Sequence, residues 1–248
     1  MKSIQQLKKQ AKGLYKENKK TSIAVAAICI YTTLLIRFST DNLMILFRRQ
    51  QDLIGTVSSV FVFILASAFS VGLASFSLEI VKSGKSELIT FLSSFENIFK
   101  VFLLELLKTL FIFLWSLLFV FPGIIAIYNY RMAEYIMAEN PDISPLEAIS
   151  LSKKMMHGKK VKLLDLDLSF VGWYVLSLAT LGIVGLYTLP YAHLAVTNFF
   201  IDVRSEYEEE LNFRAEWDAK KSEARKQEEN DMDKNDMEEN NPDDKTYI

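Results

Sequence analysis

Three ionisable residues, Lys108, Arg131 and Glu134, sit inside long apolar runs, with Tyr128, Asn129 and Tyr130 immediately before the arginine. A charge at the centre of a bilayer costs about 2.5–3.5 kcal/mol on insertion scales, so it pairs with another charge or faces a polar cavity. Lys108 lies 14 residues before Pro122, and Glu134 lies 12 after it. If the chain turns back at Pro122-Gly123, antiparallel helices bring these two to similar depth. That spacing predicts a Lys108–Glu134 contact. Arg131 then faces the bundle interior or snorkels to an interface, and Glu105 matches it in depth less well. Two uses remain open. The pair can be structural and fix the register of a hairpin, or it can belong to a polar pathway or headgroup site shared with Tyr128, Asn129 and Tyr130.

Enzyme chemistry is poorly supplied. There are two histidines and one cysteine in 248 residues. His157 ends a capped helix, where the helix dipole accounts for a basic residue. His193 follows Pro190, and only Asp165 and Asp167 offer themselves as companion metal ligands. No phosphate-cradling glycine loop, nucleophile elbow or zinc-protease helix occurs. Cys29 can form no internal disulfide and no cysteine zinc site, and reads as a small buried apolar residue. The expectation is a protein that is not an enzyme, with no catalytic residue, no metal and no cofactor.

The elements that would position these residues follow from how the apolar residues are distributed. Half of the residues are hydrophobic, and they fall in long blocks. A bilayer core of about 30 Å needs roughly 20 apolar residues per helix. The net charge of −2 hides an asymmetry. Residues 204–248 hold 8 Lys/Arg against 16 Asp/Glu, leaving 20 against 14 in the rest of the chain.

Residues 1–20 carry seven lysines and one glutamate. Ile4, Leu7, Ala11 and Leu14 recur at helical spacing, so this segment reads as a basic amphipathic helix lying apolar face down on an anionic membrane surface. Nucleic-acid binding is the rival reading of a basic arm, and it is set aside because the next residues enter a membrane. The segment is too long and polar for an ordinary signal peptide, so the first apolar run reads as a retained anchor.

Six spans are expected, at about Thr21–Ile36, Leu53–Ile80, Val101–Phe121, Ile124–Glu139, Leu163–Ala179 and Ile183–Val203. In the second, Ala66, Ser70 and Ala74 form one small-residue row, and Ala68 and Gly72 another. Such rows read as a helix-packing face, with a substrate groove as the alternative. Between spans two and three, Leu88, Phe91, Phe95 and Ile98 share a face that reads as interfacial. Pro122-Gly123 admits either one kinked crossing over 101–139 or a hairpin. Lys153, Lys154, Lys159, Lys160 and Lys162 favour the hairpin, because it returns them to the cytoplasmic side.

Ser144, Pro145 and Glu147 predict a capped helix over 145–157 stopped by Gly158, with Leu146, Ile149 and Met156 on one side. It reads as a surface helix or as an anionic-lipid contact. Thr180-Leu181-Gly182 breaks the chain between spans five and six. Trp173, Tyr174, Tyr187 and Tyr191 read as interfacial anchors or as packing residues. Beyond span six, Tyr207, Leu211, Arg214 and Trp217 continue a helical spacing, and from about Glu228 the composition predicts disorder.

Several motifs recur together: Pro122-Gly123-Ile124-Ile125, Tyr130-Arg131-Met132, Asn140-Pro141, Glu147-Ala148 with Ser152, Gly158-Lys159-Lys160, Gly172-Trp173 and Pro190-Tyr191, preceded by Leu7-Lys8 and Ala11-Lys12. The chain resembles the Gram-positive bacterial integral membrane proteins grouped as domain of unknown function 975, over most of residues 1–204. A more distant similarity is to the membrane module attached to some glycerophosphodiester phosphodiesterases, which carries no catalytic carboxylates. The resemblance implies a multi-span helical fold in a bacterial plasma membrane, and no activity.

Taken together, the sequence predicts an all-α polytopic transmembrane helix bundle of about six spans with amphipathic interfacial helices. Residues 1–20 form the basic helix, 21–203 the membrane domain, and 204–248 an acidic tail, with both ends cytoplasmic. The expected partners are the bilayer, through anionic lipids at Lys8, Lys9, Lys12, Lys153, Lys154, Lys159 and Lys160, and another membrane protein or a second copy, with no nucleic acid. The leading function is a non-enzymatic organiser of lipids or membrane proteins. The alternative is a transporter or channel component with its polar site around Arg131 and Glu134.

Overall fold

The computed structural model describes the backbone of residues 1–46 and 51–239, with side chains for 1–32, 34, 55, 57–93 and 95–223. Residues 47–50 and 240–248 lie outside the described residues. Among the described residues every regular element is helical. In chain order these are α1 (Ile4–Glu17), α2 (Lys19–Leu46), α3 (Gln51–Ser83), α4 (Leu88–Leu92) with a 3-10 turn at Ser93–Phe95, α5 (Ile98–Leu118), α6 (Val120–Tyr130), α7 (Ala133–Glu139), α8 (Pro145–Met155), α9 (Lys160–Leu168), α10 (Val171–Ala179) and α11 (Gly185–Glu239). Contacts divide the chain into two units, residues 1–203 and 204–248. Among the described residues, two helical stretches are long and apolar enough to cross a membrane, Val57–Ser83 and Ile98–Leu118.

The first helix starts at a reciprocal cap. Ser3 Oγ accepts from the Gln6 amide, and Gln6 Oε1 accepts from the Ser3 amide, so two otherwise orphaned donors are satisfied. Leu7, Ala11 and Tyr15 are buried within the chain. The Tyr191 hydroxyl donates to the Lys8 carbonyl at 3.4 Å, and Asn198 Nδ2 donates to the Leu7 carbonyl at 3.5 Å. The apolar stripe expected to lie on lipid is therefore covered by protein. An amphipathic stripe records that something covers it, and here α11 supplies the cover. Asn18 Nδ2 donates to Leu14 O at 3.1 Å and to Gly84 O at 2.8 Å, tying the α1–α2 joint to the end of α3.

Small residues do pack on α3. Gly72 lies so close to α4 that an added Cβ would stand 2.7 Å from the Phe91 carbonyl oxygen. Phe69 stacks on Phe91 at 5.7 Å and meets Phe95 edge-on at 5.9 Å. The segment expected at an interface is thus strapped to α3, with Phe91 buried and Leu88 left exposed.

Helices α5 and α6 lie against each other as a hairpin. The break falls at Phe119, which is extended (φ −163°, ψ 156°), and not at Pro122-Gly123. Pro122 sits in the first turn of α6, where its missing N–H would have had no intrahelical acceptor and costs little. Gly123 has a different role: a Cβ there would lie 2.2 Å from Ser116 Oγ, so only glycine lets the two helices close.

The expected fourth span is broken between α6 and α7, and the fifth between α9 and α10 at Ser169–Phe170. The sixth begins after a turn in which Leu181 (φ 51°) and Gly182 (φ 89°) take left-handed backbone. In α8, Ser144 Oγ accepts from the Glu147 amide at 3.3 Å, and Gly158 follows at φ 74°. Its buried face is Ala148, Ile149, Ser152 and Met155, whereas Leu146 points outward.

In the second unit the helix runs on to Glu239, past the point at which composition predicts disorder. Glu, Lys, Arg, Ala and Gln favour helix on propensity alone, and Arg204–Glu208 (2.8 Å) and Glu210–Arg214 add pairs at i, i+4. Such pairs contribute about 0.2–0.5 kcal/mol each.

Candidate functional site

Charged side chains converge inside the first unit where α5, α6, α7 and α9 meet. Lys108 of α5 and Glu134 of α7 are 6% and 7% exposed. The Lys108 ammonium donates to Glu134 Oε1, and to Glu105 Oε1 one turn earlier at 2.9 Å. Glu134 stands on α7, past the end of α6, and the pair forms where α7 packs back against α5. Arg131, in the break between α6 and α7, lies in the field of Glu134 and of Asp167 from α9. Tyr128 faces Asp167 as well. Five charged groups are thus gathered, two cations and three carboxylates.

Hydrogen bonding in this region is incomplete. Ser152 of α8 closes the helix break: its hydroxyl donates to the Asn129 carbonyl at 2.7 Å and accepts from the Met132 amide at 3.1 Å. By contrast, Asn129 Oδ1, Arg131 Nε and His193 Nδ1 are buried with no hydrogen-bond partner in the protein. Buried polar atoms are nearly always paired, so three orphans in one region depart from the usual pattern.

Of the residues named from sequence, Lys108, Tyr128, Asn129, Arg131 and Glu134 fall in this cluster. Tyr130 turns away and packs at 6.1 Å from Phe111. Sequence reasoning placed Glu105 too low in weight. It weighed Asp167 and His193 only as metal ligands, and among the described residues no group of three His, Cys, Asp or Glu could hold a metal ion. It missed Tyr135, a buried ring stacked on Phe200 at 5.4 Å. Tyr135 lies in a run of six buried residues, 132–137, and burial of that kind leaves no mark in the residue types.

The basic residues separate into two kinds. Lys9, Lys12, Lys153 and Lys154 are exposed, and Lys159 and Lys160 are half-exposed. Lys8 turns inward: its ammonium donates to Ser169 O at 3.1 Å and Ser169 Oγ at 3.2 Å, and sits 4.5 Å above the Phe170 ring. Burial lowers its pKa below the ordinary lysine range. It clamps the α9–α10 break. Tyr187 and Tyr191 pack against each other and against the chain, with Tyr15 edge-on to Tyr187 at 4.9 Å, whereas Trp173 touches Tyr187 at 5.4 Å and stays exposed.

No curated protein and no solved structure matches the chain. One family model does, described as protein of unknown function (DUF975), over residues 117–207. That is narrower than the 1–204 suggested by the motifs, and it takes in α6 to α10 and the first part of α11, with Tyr128, Asn129, Arg131, Glu134, Asp167 and His193. Over this stretch the chain resembles the DUF975 family.

Proposed function

We propose that the chain is a polytopic integral membrane protein of about six spans, in a bacterial plasma membrane with both ends cytoplasmic, which organises lipids or membrane proteins without catalysing a reaction. One observation carries the membrane reading. The turn of the α5–α6 hairpin exposes Leu117, Leu118, Phe119, Val120 and Phe121, the last at 80%, and the α10–α11 turn exposes Leu178, Leu181 at 95% and Ile183. Soluble proteins rarely leave apolar patches of that extent in water. Lipid would cover them at no cost. The exposed lysines of α1 and α8 suit the anionic surface that cytoplasmic leaflets present. Topology tests this reading. With Cys29→Ala as background, His157→Cys and Asn235→Cys are exposed to a membrane-impermeant thiol reagent in intact cells. Both should stay unlabelled until the cells are opened. Labelling of His157→Cys in intact cells would remove the hairpin crossing and the six-span arrangement.

The second reading, a transporter or channel component, is favoured by the orphaned Asn129, Arg131 and His193 atoms. It predicts solute flux in proteoliposomes that Arg131→Ala abolishes. An organiser predicts co-purifying lipid or protein and no flux.

A further inference from the structure

A second site lies away from the Arg131 cluster, where α3 and α7 end and α5 begins. A cavity of about 350 Å³ opens there. Its inner wall is apolar, made by Val71 and Leu78 of α3, Val101 of α5 and Met137 of α7, while Glu79, Lys82, Lys100 and Glu139 supply charge at its lining. The strap between α3 and α5 forms one side, held by the Gly72–Phe91 approach.

Two of the four charges are matched by each other: Lys82 Nζ pairs with Glu139 Oε1 at 2.6 Å. The other two have neutral partners. Glu79 Oε2 accepts from the Ser86 and Thr90 hydroxyls, both at 2.5 Å. Lys100 is the cationic counterpart. Its ammonium donates to two neutral carbonyls, Pro141 O at 3.1 Å and Asp142 O at 3.5 Å, and no carboxylate pairs with it among the described residues. An ammonium has three donors, so one is unused and the charge is uncompensated. The lining as a whole carries two ammonium and two carboxylate groups. A ligand of pure negative charge would gain Lys100 and meet two carboxylates. A ligand bearing both signs meets a partner for each.

We propose that this cavity binds the headgroup of a phospholipid carrying a phosphodiester and a primary ammonium, the phosphate on Lys100, the ammonium towards Glu79 and Glu139, and the first chain carbons along Val71, Leu78, Val101 and Met137. The volume lies within the range of about 300–1,000 Å³ typical of ligand pockets. It holds a headgroup and leaves the acyl chains to the bilayer. Glu79 and Lys82 close the apolar stretch Val57–Ser83, and Lys100 opens the apolar stretch Ile98–Leu118. Both stretches therefore end at the level where headgroups lie, an argument that rests on the membrane reading above.

Native mass spectrometry of the full chain in detergent, with equal amounts of phosphatidylethanolamine, phosphatidylglycerol and phosphatidylcholine added, tests the assignment. One phosphatidylethanolamine should be retained per chain in preference to the other two. Lys100→Ala should weaken retention about tenfold, the loss of one charge-assisted hydrogen bond. Val71→Trp, which fills the apolar wall, should do the same with the charges intact, and Lys153→Ala should change nothing. Equal retention of all three lipids, or retention unchanged in Lys100→Ala, overturns the proposal. So does soluble phosphoethanolamine that binds as tightly as the lipid, because the apolar wall would then contribute nothing. Should Val71→Trp fail to fold, the half-exposed Lys100 still decides. An alkaline carbonate wash separates the two levels. A chain released from membranes overturns the membrane reading and this site with it. A chain that stays and retains phosphatidylethanolamine no better than phosphatidylglycerol overturns this site alone.

Discussion

Two lysine–glutamate pairs in this molecule look alike on paper and differ in what they do. Lys108–Glu134 is buried against α5, α6 and α7, whereas in Lys82–Glu139 the side chains are 50% and 27% exposed. In water an ion pair contributes about 0–1 kcal/mol, because solvent already screens both charges. Out of water each charge has lost its hydration, and removing one partner strands the other at a cost of about 3–5 kcal/mol. Burial, not pairing, decides which of the two the fold depends on.

The largest expected effect therefore belongs to the buried pair. Glu134→Ala leaves Lys108 with Glu105 alone and Arg131 with Asp167 alone, and should lower the unfolding free energy of the purified protein by about 3 kcal/mol, the low end for breaking a buried pair, read as a large drop in Tm in detergent. Lys108→Met with Glu105→Gln and Glu134→Leu, which removes the whole bonded group of charges, should recover most of that loss. If this triple variant is as unstable as Glu134→Ala, the group is not what makes this region fragile. Next comes Gly123→Ala. Its new Cβ would collide with Ser116, and overpacking of this kind costs about 1–3 kcal/mol. Gly123→Ala combined with Ser116→Gly should be milder than Gly123→Ala alone. Ser152→Ala leaves the Asn129 carbonyl and the Met132 amide without their side-chain partner, at about 1–3 kcal/mol. The smallest effect is predicted for Lys82→Ala, within about 1 kcal/mol and shrinking as salt is raised. A Tm change as large as that of Glu134→Ala would erase the distinction between the pairs.

How much of this could be read from the sequence follows the same division. The Lys108–Glu134 contact is legible because α5 and the chain that returns after it are related by counting along the sequence, although Glu134 stands on α7, past the end of α6. The break itself was misplaced by a few residues. Pro122 attracts attention as a helix breaker, yet in a first turn it interrupts nothing, and Phe119 carries no signal of its role. Asp167 and His193 were visible as residues and not as neighbours of Arg131, since no spacing relates residue 131 to 167 or 193 across separate helices. For α1 the stripe was read correctly and its cover was not, because protein and lipid ask for the same apolar face. In the sequence Gly72 is a small residue in a packing row and Gly123 is half of a Pro-Gly break. Their actual use, close approach to Phe91 and Ser116, depends on partners that only the fold supplies.

Phe119 has one more consequence. A single extended residue joins α5 to α6, too short a tether for one helix to settle while the other waits. Under the membrane reading, the hairpin must be released from the insertion machinery as one body. Lys108 would then leave that machinery already neutralised by Glu134, so neither charge is presented to hydrocarbon alone. Lengthening the joint after Phe119 with a few glycines should slow biogenesis more than it harms the finished protein.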